Sequence, residues 1–249
     1  MTVMHHCKKL LAALALLPSM VLASDHAPLD DAPLDGHDVV SLQRGARTFV
    51  NYCMGCHSAA YMRYNRLTDL GLSEQQIKEN LMLAGDKIGE PMTIAMKRAD
   101  ASKWFGAQPP DLSVVARSRG ADWLYTYLRT YYRDESRPTG WNNVAYPNVG
   151  MPHVLWELQG EQVMQAVEHK EGEEPGAAHA APKLVLERQG ALNPKQYDAM
   201  VGDLVNYLVY MGEPARTTRS QLGIIVLLFL GVAFVFAYLL KKEFWKDVH

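Results

Sequence analysis

Cysteine is scarce in this chain: three residues in 249. Cys7 lies ahead of an apolar run near the N-terminus, which leaves Cys53 and Cys56 for any chemistry. Two neighbouring cysteines build no disulfide framework. Excess positive charge is missing as well. Lys and Arg total 25 against 27 Asp and Glu, a formal net charge of −2. A mildly acidic chain of this kind excludes nucleic acid as the expected partner. No long internal repeat is visible, and no strand–helix–strand pattern surrounds the cysteines. Apolar residues, by contrast, are plentiful at 48%, enough for a sizeable core.

The two useful cysteines stand in Tyr52-Cys53-Met54-Gly55-Cys56-His57-Ser58. Cys-x-x-Cys alone is ambiguous between zinc, a redox dithiol and haem. The directly following His points to attachment of a c-type haem. Two thiols one helical turn apart can add to the two vinyl groups of a porphyrin edge. The imidazole after them is then carried under the iron as the proximal ligand. The competing reading is a thiol–disulfide motif with an accidental His.

The ends decide the compartment. Lys8 and Lys9, the apolar run Leu10–Leu17 broken by Pro18, and the small residues around Ala23 predict a signal peptide over 1–23. The run is too short for a membrane helix. Leu222 to Leu240 carries no charge and is long enough to span a bilayer. Lys241, Lys242 and Lys246 follow it, with Trp245 as an interface aromatic, and predict a cytoplasmic C-terminus. The expected order is therefore signal peptide 1–23, periplasmic domain 24–220, membrane anchor 221–241 and cytoplasmic tail 242–249, in the inner (cytoplasmic) membrane.

Within the exported part, Ala27-Pro28-Leu29-Asp30 is echoed by Ala32-Pro33-Leu34-Asp35, and Ser24–Asp38 reads as an extended, solvated acidic arm. Apolar spacing predicts a helix over Ser41–Tyr52, with Gly45 suited to close approach by another helix. Ser73-Glu74-Gln75-Gln76 is a capping box opening a helix to about Ala84, with Leu72 and Ile77 placed as a staple. Ala121–Tyr132 reads as helix and Arg133–Met151 as loop. Glu161–Ala181 reads as a surface insertion or hairpin. Its Glu168, Glu171, Glu173 and Glu174 are either a solvated face or part of an acidic docking face. Asn193-Pro194 caps a last helix that Gly212-Glu213-Pro214 ends.

The second axial position is open on these residues. His26, His37, His169 and His179 lie in acidic or flexible contexts. Met151, in Asn148-Val149-Gly150-Met151-Pro152, is the favoured candidate, because flanking Gly and Pro hold an extended loop. Met92, Met96 and His153 compete with it. A thioether would raise the potential relative to a second His.

Several stretches together resemble the cytochrome c1 family, the haem subunit of the cytochrome bc1 complex (ubiquinol–cytochrome c oxidoreductase). They are Leu42-Gln43-Arg44-Gly45-Ala46, the haem motif, Pro109-Pro110-Asp111-Leu112-Ser113 with Ala116-Arg117, Gly150-Met151-Pro152, Asp203 to Leu208 with Glu213-Pro214, and the C-terminal anchor. The resemblance implies a mostly α, cytochrome c fold with one transmembrane helix. It implies one covalent haem c on Cys53 and Cys56, iron ligands His57 and Met151, Pro110 beside the ring, and Arg117 paired with a haem propionate. Ser118-Arg119-Gly120 departs from the His-Gly-Gly of mitochondrial members. The implied activity is electron transfer from the Rieske iron–sulfur protein to a c-type cytochrome, beside cytochrome b in a dimeric complex, with quinol oxidation left to cytochrome b. The alternatives are a free-standing membrane-anchored cytochrome c, a haem peroxidase and a membrane-tethered thiol oxidoreductase.

Overall fold

A computed structural model describes residues 28–165 and 183–247. The expected signal peptide with Cys7, the residues Asp25 and His26, and Glu168, His169, Glu171, Glu173, Glu174 and His179 lie outside the described residues.

Helix α1 (Val39–Thr48) starts where the Asp38 carboxylate accepts from Ser41 N at 2.9 Å, satisfying one of the free donors at a helix start. It begins two residues before the expected Ser41. It then widens into a π-helical turn, Phe49–Cys53, closed by Met54 N donating to Phe49 O at 3.1 Å. The extra residue in that turn delivers Cys53 into the motif, and such turns are often found at functional positions.

After the motif come strand β1 (Ala59–Arg63), a 3-10 turn (Tyr64–Leu70) and helix α2 (Glu74–Asn80). The Ser73–Gln76 capping box forms as expected. The helix stops short of Ala84 because Leu81 N and Met82 N both donate to the Ile77 carbonyl. Strand β2 (Pro91–Met92) pairs antiparallel with β1. Helices α3 (Arg98–Phe105), α4 (Val115–Arg119) and α5 (Ala121–Arg129) follow.

The expected helix over Ala121–Tyr132 is too long. It ends at Arg129, and Tyr131–Arg133 forms β3, antiparallel to β4 (Trp141–Asn143) inside the expected loop. Tyr131, Tyr132 and Trp141 favour a pleated, half-buried surface over another helical turn. Helix α6 (Trp156–Gln159) leads to strands β5 (Gly160–Gln165) and β6 (Lys183–Gln189), the stem of the expected hairpin. Helix α7 (Pro194–Gly212) opens on the Asn193–Gln196 capping box with Pro194 in its first turn. Helix α8 (Arg216–Phe244) ends the described chain.

The core lies where α1 crosses α7. A Cβ on Gly45 would stand 2.1 Å from Asp203 O and 2.6 Å from Tyr207 Cβ. Only glycine lets the helices meet this closely. The Arg44 guanidinium grips both Asp203 oxygens, at 2.5 and 2.8 Å, beside the crossing. Phe49 stacks obliquely on Tyr207, ring centroids 5.6 Å apart. Leu42, Ala46, Leu204 and Leu208 complete a buried centre.

The described part of the acidic arm, Pro28–Asp38, is extended as expected, but it is not a free solvated tail. Asp30 N donates to Thr126 Oγ1 and Ala32 N to Asp122 Oδ1, both at 2.8 Å. The Asp30 carboxylate pairs with Arg129 at 2.6 Å, and Asn206 donates to Asp35 O at 2.7 Å. The segment is a strap laid over α5 and α7.

Thr218–Phe244, 27 residues of α8, is long and apolar enough to cross a membrane, and its most apolar stretch is not buried in the protein. At about 1.5 Å per residue it reaches roughly 40 Å, against ~30 Å of hydrocarbon.

Candidate functional site

His57 is set by its own loop and by the double-proline turn. Cys56 N and His57 N both donate to Cys53 O, at 3.1 and 2.8 Å, folding the motif into a tight turn. His57 Nδ1 lies 2.7 Å from Pro110 O. A carbonyl only accepts, so Nδ1 carries the proton and the Nε2 lone pair is left for a metal. Burial pushes the imidazole down, against the Pro110 bond and the nearby Asp111 carboxylate. The neutral form that a ligand needs is therefore favoured.

The double-proline turn is itself stapled to the residues after His57. Leu112 N donates to Ser58 O at 2.8 Å, Ala60 N to Asp111 Oδ2 at 2.9 Å and Tyr61 N to Ser113 Oγ at 3.0 Å. Ser113 N donates back to Asp111 Oδ1 at 2.8 Å. Proline supplies no donor, so the Pro110 carbonyl faces the ring on a stiff backbone.

Met151 sits on a loop built by asparagines. Asn143 Oδ1 accepts from Ala145 N and Tyr146 N, at 2.9 and 3.0 Å, while its Nδ2 donates to Tyr127 O at 2.7 Å. Asn142 Oδ1 accepts from Asn148 N at 2.8 Å. Asn148 has φ +63°, a left-handed turn that asparagine tolerates. The Arg137 guanidinium clamps the Asn148 side chain and carbonyl, both at 3.1 Å. Tyr127 Oη approaches Met151 Sδ at 3.5 Å, and Tyr131 Oη approaches Tyr127 Oη at 2.5 Å. Burial pushes both phenols up, so both keep their protons.

One cavity of about 400 Å³ is lined by Cys53, Cys56, His57, Pro110 and Met151 together. Leu124, Leu128, Leu204, Leu208 and Val154 give it an apolar surface. Its size falls in the roughly 300–1,000 Å³ range of cofactor sites. These residues fit a c-type haem: two adjacent thiols, an imidazole with only Nε2 uncommitted, a thioether on the same cavity and an apolar lining. The competing ligand candidates lie elsewhere. Met92 is fully buried with Tyr207 Oη at 3.7 Å, and Met96 does not line the cavity. His153 is buried and stacks on Tyr131, centroids 4.7 Å apart and 5° between planes. His37 is exposed.

Arg117 is not among the cavity-lining residues; its stem lies against Gly212 of α7. Arg119, two residues on, does line the cavity. Its guanidinium stands 4.9 Å from the Trp123 ring and 5.8 Å from that of Tyr146. Arg119, Trp123, Tyr127 and Phe105 escape a motif-based reading. Trp123 and Tyr127 are four apart on α5 and stack at 4.8 Å, a spacing visible in the sequence.

The Cys53 thiol is pushed up to about 12 by burial and by Cys56. Reactive dithiols need the opposite shift, so a thiol oxidoreductase is disfavoured.

Comparison with known proteins agrees with this geometry. Residues 30–248 match the profile of the Cytochrome C1 family. Cytochrome c1 of Allochromatium vinosum is 51% identical over 246 residues, 97% of this chain and all of that protein. A Nitrosomonas europaea protein called ammonia monooxygenase gamma subunit is 49% identical over 247 residues, 99% of this chain and all of that protein. Cytochrome b/c1 of Bradyrhizobium diazoefficiens is 26% identical over 251 residues, 87% of this chain and 34% of that protein. Members of the cytochrome c1 family carry one covalent haem c, adopt the cytochrome c fold and move electrons without being enzymes in their own right. With a family match across nearly the whole length and the haem-type cavity in place, the chain belongs to the cytochrome c1 family, the membrane-anchored haem electron-transfer subunit of the cytochrome bc1 complex, alongside cytochrome b.

Proposed function

We propose that the chain takes electrons from the Rieske iron–sulfur protein and passes them to a c-type cytochrome on the periplasmic side of the inner membrane. Residues 24–220 stand outside that membrane, 221–241 cross it, and 242–249 remain cytoplasmic once 1–23 are removed. The reading also takes the chain to a dimeric complex surrounded by lipid.

Haem supplies a reversible one-electron centre when bound. Cys53 and Cys56 would hold it covalently through thioethers. His57 Nε2 and Met151 Sδ would be its two protein ligands, and a haem iron so held would not take peroxide, which sets the peroxidase alternative aside. Pro110 holds the His57 tautomer and ring plane through its carbonyl. Helix α4 after it carries the two arginines that would serve the haem carboxylates: Arg119, which lines the cavity, and Arg117, which does not line it and rests on the family resemblance alone. The apolar walls would keep water from the bound group and favour its less charged, reduced form.

The observation that carries the reading is the joint placement of His57, with Nδ1 committed, and Met151 on one cavity beside the two thiols. The test is purification from membranes in mild detergent with redox difference spectra. The expected result is a c-type α-band that survives acid–acetone extraction, copurifying with b haem and an iron–sulfur protein that reduces it. A c haem that purifies alone would overturn the complex in favour of the free-standing cytochrome.

A further inference from the structure

Two buried phenols point at one sulfur. Tyr131 Oη lies 2.5 Å from Tyr127 Oη, which lies 3.5 Å from Met151 Sδ. Chemistry fixes the direction of this chain. A thioether has lone pairs and no proton, so at that contact the phenol is the donor. Tyr127 has one proton and spends it on sulfur. The short contact between the phenols then runs on the proton of Tyr131, whose side chain is 1% exposed. We propose that Tyr131 and Tyr127 form a directed hydrogen-bond relay onto Met151 Sδ, which orients the thioether and raises the reduction potential of the haem it ligates.

The proposal rests on Met151 being an iron ligand, as argued above. A thioether sulfur offers two lone pairs. One would face the iron, and the second is the one Tyr127 approaches. A donor on that second pair withdraws electron density from the sulfur. The sulfur then gives less to iron, and the ferric state loses more than the ferrous. Tyr131 strengthens the effect by polarising Tyr127, because hydrogen bonds in series reinforce one another in a low-dielectric interior.

Both rings are held so that the hydroxyls cannot swing away. Trp123 stacks on Tyr127 at 4.8 Å with 11° between planes. His153 stacks on Tyr131 at 4.7 Å, and Trp141 packs edge-on to His153 at 5.0 Å. His153 follows Met151 by two residues. The loop that carries the sulfur therefore also carries the plate that fixes its second donor. Tyr127 and Tyr131 are positioning residues, since they act through Met151.

The test uses the intact membrane-anchored holoprotein and four chains: unaltered, Tyr127→Phe, Tyr131→Phe and the double variant. Phenylalanine keeps the ring stacking, so the hydroxyls alone are removed. The readouts are the midpoint potential from spectroelectrochemical titration and the weak red charge-transfer band of sulfur-ligated ferric haem. Tyr127→Phe is expected to lower the potential and move the band. Tyr131→Phe is expected to shift both the same way by less, and the double variant to match Tyr127→Phe. An unmoved potential and band in Tyr127→Phe overturns the relay, as does a Tyr131→Phe shift that adds in full to that of Tyr127→Phe. Absence of the sulfur band in the unaltered protein overturns the ligation itself, which separates the two failures. Tyr131→Phe leaves every group in contact with the sulfur and supplies the readout if Tyr127→Phe accumulates poorly.

Discussion

His57 and Met151 reach the same cavity on supports of different construction. The His57 segment is held mostly by backbone: a tight turn on Cys53 O, a stiff double-proline carbonyl and Leu112 N on Ser58 O, with the Asp111 and Ser113 side chains as two further acceptors. Two thiols beside it add covalent anchorage on haem attachment. The Met151 segment is held by side chains: three asparagines, the Arg137 clamp and two tyrosines. Backbone supports tolerate substitution of neighbouring side chains, whereas a loop built on asparagine amides depends on each one. The haem motif and the Pro109–Ser113 stretch lie on the first support, and Gly150-Met151-Pro152 lies on the second.

The sharpest break in this contrast is at the ligands and tethers. Replacing Cys53 and Cys56 together by Ser should abolish covalent haem, read by haem staining on a denaturing gel. Met151→Ala should keep the stain and lose the sulfur ligand. Its potential should fall by something on the order of 0.1 V or more, within the ~0.8 V that axial ligands span. A Met151→Ala protein with an unchanged potential would remove the sulfur from the iron and end the comparison.

The next step probes the asparagine support. Asn143→Ala leaves the Ala145 and Tyr146 amides without their partner and the Tyr127 carbonyl with only Thr130 N, at 3.4 Å. The expected loss is about 2–3 kcal/mol, from the cost of buried unpaired groups. Urea unfolding of the holoprotein measures it. A loss below a few tenths would mean that the loop does not lean on this side chain.

The smallest effect is expected on the backbone support. Burial pulls the Asp111 carboxyl up, but hydrogen bonds from Ser113 and Ala60 and the nearby His57 outweigh it and leave the group below its usual range. A depressed folded value means that the unfolded chain takes up the proton first. The contribution is therefore present above about pH 4 and fades as pH falls through the folded value. Asp111→Asn should cost about 1 kcal/mol at neutral pH, solvent screening included, and flatten the acid limb of the stability profile. An acid limb as steep as before would show that Asp111 is a bystander.

The two supports also differ in how far the sequence revealed them. The haem motif, Gly45, the Ser73 and Asn193 caps and the long last helices are local signals, because spacing and capping chemistry act over a few residues. Gly45 is legible because a glycine inside an apolar helix has few other reasons to be there. The Tyr131–Arg133 and Trp141–Asn143 pairing was hidden. Its helical apolar spacing runs on from α5, and only the partner strand reveals the switch. Arg119 escapes a reading that names Arg117, since the motif names one arginine while helix α4 presents another to the cavity. The strap over α5 and α7 was missed because its contacts lie far away in sequence, at Asp122, Thr126, Arg129 and Asn206.

The meeting of Arg44 with Asp203 joins positions 159 apart in the chain. The helix that leads into the cysteines thus finds its partner only after almost everything else has been made. Until α7 has been made, α1 has no helix to close against. The crossing therefore ties the segment that leads into the haem motif to the helix that hands the chain to its anchor, across nearly the whole length of the domain.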